Sequence, residues 1–316
     1  MPIWRQTSSG QLRRWAPTDE ALEVMDIQLA HYYSDGYRIA ADLYKPKGLK
    51  ETDKLPAIVI VGGYTVIKET SLPDYAYAFT KAGFVTLAFD FRGFGESDGR
   101  RGDSTWQNYV EDTRNAVTFL QHCPGVDPDR IGVWGSSYGG GVVSYALSID
   151  DRIKAGVAQS GLASGGEQFG TAMPPEQQAL MKQMVAEDRR RRTLHNDPMY
   201  AEQLDLMANP SARQFFEELY QDYPQMFGRE VTLKSLESAS EFEPFSLIEK
   251  KGSRALMFIA GTRDEIATVN VSRRMYEKTP EPKEWREYDA DHFGIYEPSI
   301  LQACAADAVG FFKKYL

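Results

Sequence analysis

The 316-residue chain is poor in cysteine and histidine and has no long apolar run. Two cysteines, Cys123 and Cys304, are too few for a disulfide framework. Four histidines without ligand-like spacing argue against a structural zinc site, and no metal is expected. No stretch approaches the ~18 apolar residues of a membrane-crossing helix. The opening Met1-Pro2-Ile3-Trp4-Arg5-Gln6-Thr7 holds no apolar signal core. Positive charge is also in deficit, with 36 Lys and Arg against 45 Asp and Glu, a net of −9. That balance gives no footprint for nucleic acid or an anionic membrane surface. The one basic run, Arg189-Arg190-Arg191-Arg192, reads as a solvated or salt-bridged helix face. A soluble cytoplasmic protein is expected, with neither nucleic acid nor membrane as partner, and a homodimer is compatible with it.

What the chain does have is the ordinary make-up of a globular protein, 42% hydrophobic and 26% charged. The first ~20 residues show no strong period and read as an arm. Val24–Leu29 and Arg38–Tyr44 alternate around Ser34-Asp35-Gly36, which predicts a β-hairpin. Leu55–Val61 is apolar throughout, as in a strand buried on both faces. There follow a helix (Tyr75–Lys81), a strand (Phe84–Phe89), a helix (Thr105–His122), a strand around Arg130–Trp134, a helix from Gly139, and a strand (Ile153–Gln159). This alternation predicts a mostly parallel sheet flanked by helices, the α/β class. It breaks over 162–248, where Glu176–Arg192, Met199–Met207 and Ser211–Tyr220 read as helices, the last two capped by Asp197-Pro198 and Asn209-Pro210. Alternation resumes at Arg254–Ala260. The expected division is a core of 1–161 and 249–316 with a helical cap at 162–248.

Gly135-Ser136-Ser137-Tyr138-Gly139 reads G-x-S-x-G directly after a strand and before a helix, the setting of a nucleophile elbow. Ser136 would need glycine at 134, where Trp134 stands. A serine hydroxyl needs a base, and the base needs an orienting acid. Of His31, His122, His195 and His292, only His292 lies late in the chain just past a predicted strand, where parallel-sheet proteins place their sites. The acid is expected after the Leu256–Ala260 strand, at Asp264 with Glu265 as the fallback. Asp98 and Asp103 precede the elbow, and Asp291 adjoins the base. The order Ser137, Asp264, His292 is that of α/β-hydrolases. The backbone N–H groups of Tyr138 and of Tyr64, after Gly62-Gly63, are the oxyanion candidates, and the Tyr64 phenol could reach the same pocket.

With Asp90-Phe91-Arg92-Gly93-Phe94-Gly95-Glu96-Ser97-Asp98-Gly99 added, the chain resembles an α/β-hydrolase. More narrowly, it is similar to the branch of dienelactone-hydrolase-like and cocaine-esterase or Xaa-Pro-dipeptidyl-peptidase-like enzymes. Asp127–Gly140 is typical of how that branch enters its elbow. The resemblance implies an oxyanion tyrosine at Tyr64. His292-Phe293-Gly294-Ile295-Tyr296 is similar to an ending found in bacterial hydrolases and fungal polyketide transferases of the branch. Dienelactone hydrolases proper use cysteine where Ser137 stands, so that chemistry is not expected. Nor is the C-terminal jelly roll of cocaine-esterase-like enzymes, since only about 50 residues follow Asp264.

The expectation is therefore a serine hydrolase of a small to medium apolar ester or thioester, acting without metal or organic cofactor on a small-molecule acyl substrate. Phe169, Met173, Met226 and Phe227 are the expected cap residues lining the acyl pocket. An acyltransferase or a C–C bond hydrolase would use the same three residues. A non-catalytic ligand receptor should have lost one of them.

Overall fold

A computed structural model describes residues 4–6, 15–170, 175–206, 209–223 and 228–316. Its main sheet consists of β1 (Met25–Ser34), β2 (Tyr37–Pro46), β3 (Leu55–Val61), β4 (Val85–Phe89), β5 (Val126–Ser136), β6 (Ile153–Gln159), β7 (Ala255–Gly261) and β8 (Lys283–Tyr288). The strands lie in the order β1-β2-β4-β3-β5-β6-β7-β8. β1 and β2 are antiparallel, turned by Asp35 and Gly36 at φ 48° and 82°, the positive pair that a tight hairpin needs. β2 meets β4 antiparallel, and every pairing from β4 to β8 is parallel. The predicted mostly parallel sheet is thus present, and its strands fall where the apolar runs put them. Residues Ala57–Val61 of β3 and all of β7 are buried, because helices cover both faces.

Helices α1 (Leu72–Lys81), α2 (Trp106–Gln121) and α3 (Tyr138–Ile149) follow β3, β4 and β5. Tyr75 and Phe79 of α1 pack on one face of the sheet with Phe311 and Phe312 of the last helix. Val110 and Val117 of α2 and Val142 and Leu147 of α3 fill the other face. From β3 the chain passes to β4 on one side and then crosses to β5 on the other. The carboxyl ends of β3 and β5 therefore flank a crevice at which the strand order reverses, the favoured location for a site on such a sheet.

Between β6 and β7 lie α4 (Gly165–Gly170), α5 (Pro175–His195), α6 (Pro210–Asp222) and α7 (Leu233–Ser240). The Asn209 side chain caps α6 through the amides of Ser211 (2.9 Å) and Ala212 (3.1 Å), as its Asn-Pro start predicts. Of the helix expected over Met199–Met207, the described part up to Leu206 is not an α-helix. Tyr200–Glu202 instead pairs antiparallel with Glu230–Thr232, followed by a 3₁₀ turn at Gln203–Leu206. The Asp188 carboxylate takes the Met199 amide (2.7 Å), and Asp197 is held by Arg191 rather than capping a helix. The four consecutive arginines pair with Glu237, Glu187, Asp197 and Asp188, so the run is a salt-bridged face. The core closes with α8 (Val269–Lys278) and α9 (Pro298–Tyr315) on either side of β8 in sequence. Among the described residues, no helix is long and apolar enough to cross a membrane.

Candidate active site

Three loops at the carboxyl ends of β5, β7 and β8 meet beside the crevice. Ser137 follows β5 directly, at φ 57° and ψ −124°, a conformation costly for any side chain. Its neighbours hold it there. The Ser137 amide donates to Gln159 O (2.9 Å), while its carbonyl accepts from Gly140 (3.0 Å) and Leu162 (3.0 Å). The flanking glycines are required by close approach. A Cβ at Gly139 would stand 2.4 Å from Gly62 O, and one at Gly135 would stand 2.5 Å from Gly139 O.

His292 and Asp264 are both buried, and Ser137 is half-buried. The Ser137 hydroxyl lies 2.9 Å from His292 Nε2, and His292 Nδ1 lies 2.8 Å from Asp264 Oδ2. An ionised carboxylate can only accept, so Nδ1 carries the proton and Nε2 is free to take one from serine. The other Asp264 oxygen accepts from the amides of Ile266 (2.9 Å) and Ala267 (2.8 Å). Burial pushes the Asp264 carboxyl up, but the imidazole and these hydrogen bonds outweigh it and hold the group below its ordinary range. The rival acids sit elsewhere. Asp291 caps the amides of Phe293 (3.2 Å) and Gly294 (2.6 Å), and Glu265 meets the Asn209 side chain at 3.3 Å.

Tyr138 opens α3, where an N–H has no intrahelical acceptor. The Tyr64 N–H, after β3, donates to nothing among the described residues. The Tyr64 hydroxyl is enclosed beside Ser104 and Tyr109, and burial pushes its pKa well up. The loop is fixed from behind by Thr65, whose amide donates to the Tyr109 hydroxyl at 3.0 Å.

A cavity of about 190 Å³ opens over Ser137 and His292. Its walls are apolar, including Leu72, Leu162, Leu206, Phe215, Phe216 and Ile266. Phe215 of α6 stacks on Phe293, next to the histidine, at 4.6 Å and 27°. Besides Ser137 and His292, the wall holds a second hydrogen-bonded polar pair, Ser136 and Tyr296, at 2.7 Å. Sequence reasoning set Ser136 aside as a nucleophile and missed it as a wall residue. The H-F-x-x-Y ending was the signal for Tyr296, whereas Leu206, Phe215 and Phe216 carry none that is local. Of the expected lining, Met173, Met226 and Phe227 lie outside the described residues, and so does the side chain of Phe169. A second, polar opening of about 230 Å³ reaches the other side of His292 between Asn209, Arg263, Glu265 and Asp291. The only acidic cluster among the described residues close enough to share a cation, Glu69, Asp90 and Glu96, is occupied by the ammonium of Lys68.

A model of the X-Pro dipeptidyl-peptidase (S15) family matches residues 35–294. The chain belongs to that family. This S15-family chain is 31% identical to an uncharacterized 31.7 kDa protein in the traX-finO intergenic region of Escherichia coli, over 90% of its own length and 98% of the relative's. It is 29% identical to polyketide transferase ATR5 of Stachybotrys chlorohalonatus, covering 79% and 84% of the two chains. It is 26% identical to thiohydrolase aneE of Aspergillus aculeatus, covering 89% and 91%. The crystal structure of hypothetical protein PA2218 from Pseudomonas aeruginosa superposes with a TM-score of 0.79 at 28% identity, over 92% and 94% of the chains. The α/β hydrolase GrgF from Penicillium sp. sh18 superposes with a TM-score of 0.77 at 21% identity, over 92% and 99%, a likeness of fold. The fold is that of an α/β-hydrolase, and the protein is an enzyme of the hydrolase, esterase-like kind with both hydrolase and acyltransferase relatives.

Proposed function

We propose that the protein cleaves a carboxylic ester or thioester of an apolar acyl group by way of an acyl-enzyme on Ser137. The observation that carries this reading is the continuous chain from Ser137 Oγ through His292 to Asp264, at 2.9 and 2.8 Å, opening into an apolar cavity. His292 Nε2 takes the hydroxyl proton as Ser137 Oγ bonds to the acyl carbon. The resulting oxyanion is met by the amides of Tyr64 and Tyr138. The imidazolium, compensated by Asp264, returns its proton to the departing oxygen or sulfur as the carbonyl re-forms. Water, deprotonated by the same histidine, then releases the acid.

The two openings support a division of labour around His292. The apolar cavity suits the acyl chain. The polar opening suits the leaving group and then water, since its walls are Asn209, Arg263, Glu265 and Asp291. The same polar opening favours a second reading, transfer of the acyl group to an alcohol or amine, and the relative ATR5 is named a polyketide transferase. Hydrolysis is tested with para-nitrophenyl butyrate. The wild type should release acid, and Ser137→Ala should lose kcat by ~10⁴ to 10⁶-fold. Unchanged turnover by Ser137→Ala would remove the serine from the mechanism. Product analysis with a competing alcohol separates transfer from hydrolysis.

A further inference from the structure

The cavity over Ser137 ends against Tyr64 and Leu206, and the same two side chains line a second cleft of about 530 Å³. This cleft runs between α5 and α7. Met181, Val185 and Ala186 form one wall, and Leu236 and Ala239 form the other. Polar groups, among them Gln178 and the ion-paired Arg189 and Glu237, also border it. The cleft is nearly three times the size of the cavity over Ser137, and the two share Tyr64 and Leu206 as wall residues.

The boundary between them is built, not incidental. Leu206 ends the 3₁₀ turn that starts at Gln203, a fully buried residue. The Gln203 side-chain amide donates to the hydroxyl of Thr65, and its oxygen accepts from the Tyr220 hydroxyl at 3.0 Å. Thr65 follows Tyr64 and is itself fastened to Tyr109. The turn carrying Leu206 and the loop carrying Tyr64 are thus tied directly together, which fixes where the two side chains stand at that boundary.

We propose that the cleft between α5 and α7 seats the distal part of an unbranched acyl chain bound to Ser137, and that Leu206 and Tyr64 set which chains pass into it. This rests on the acyl-enzyme reading above. A chain confined to the first cavity stops gaining cover once that space is full. A chain that continues into an apolar cleft gains about fourfold in kcat/KM for each further methylene withdrawn from water.

The test is a series of para-nitrophenyl esters from butyryl through octanoyl and lauroyl to palmitoyl, with fluorophosphonate labelling as the check on the serine. The wild type should show kcat/KM climbing from butyryl to lauroyl. Ala186→Trp, at an exposed helix position, fills the cleft and should lower the lauroyl-to-butyryl ratio at least tenfold. Leu206→Ala widens the passage and should raise the palmitoyl-to-butyryl ratio at least threefold. If Ala186→Trp fails to fold, Leu206→Ala decides. A wild type that labels and cleaves the butyryl ester but gains nothing beyond it overturns this inference alone, as do variants that keep the wild-type ratios. A wild type that neither labels nor cleaves the butyryl ester overturns the acyl-enzyme reading beneath it.

Discussion

Ser137 is the residue at which backbone strain and chemistry coincide. It holds φ 57° because its amide and carbonyl are both spoken for and because glycine stands two residues away on either side. In the proposed mechanism Asp264 acts through His292, by fixing the proton on Nδ1. Asp264→Asn keeps the shape but offers an amide that can stabilise the wrong tautomer, so kcat should fall by ~10⁴ with little change in KM. Steady-state kinetics on a butyryl ester check this. The same carboxyl is held below its ordinary value of 3.8 in the folded chain. Its contribution to stability is therefore full above that value and is lost as pH falls through the lower, folded one. Acid unfolding of the wild type should include this step, and Asp264→Asn should lack it. That Ser137, His292 and Asp264 meet was legible in the sequence because each combines a telling residue type with a place just past a strand. The Ser136–Tyr296 pair and Leu206 were not legible, because their meaning depends on elements far apart in the chain.

At the scale of elements, Asp90–Gly99 proves to be a clamp rather than a source of catalytic groups. The Asp90 carboxylate accepts the amides of Lys68 (2.8 Å) and Glu96 (2.9 Å), which binds the Tyr64 loop to the loop after β4. Arg92 reaches Asp112 on α2 at 2.5 Å and Asp35 in the hairpin turn at 2.9 Å. The fully buried Lys68 stands among Glu69, Glu96 at 2.9 Å, Asp42 at 3.7 Å and Asp90 at 3.8 Å. Burial, and then the charge of Asp90, push Glu69 up to about 8 in spite of the lysine. A carboxyl raised in the folded state favours folding most below its ordinary value, and that contribution fades as pH climbs through about 8. Lys68→Met should cost about 3–5 kcal/mol by stranding buried carboxylates. The loss should be larger at about pH 9 than at about pH 6, as urea unfolding at both would show. Strand positions were readable because β3, β6, β7 and the second half of β5, from Ile131, are largely buried apolar runs. Met199–Met207 was misread as a helix because the Asp188 hydrogen bond and the pairing with Glu230–Thr232 are long-range contacts that no local period reveals.

At the scale of the whole molecule, the loops of the sheet carry Ser137, Asp264 and His292, and the stretch between β6 and β7 supplies much of the apolar wall above them. The sheet and the point where its alternation breaks were legible, but not which residues of that stretch turn inward. α6 meets the base-bearing loop through Phe215, stacked on Phe293 and, at 6.3 Å, on Tyr296. Phe215→Ala removes that contact and part of the wall. Allowing ~0.5–1.5 kcal/mol for the aromatic pair plus the lost apolar cover, kcat/KM for an octanoyl ester should fall by about tenfold. The loss should appear mainly in KM, as kinetics across the ester series would show. All of this depends on Ser137 being a nucleophile with a working base. The most direct measurement is reaction with a fluorophosphonate followed by peptide mass mapping. The wild type should carry one adduct, on the peptide that contains Ser137, and Ser137→Ala should carry none. An unmodified wild type, or an equal adduct on Ser137→Ala, would contradict the assignment of Ser137 as nucleophile.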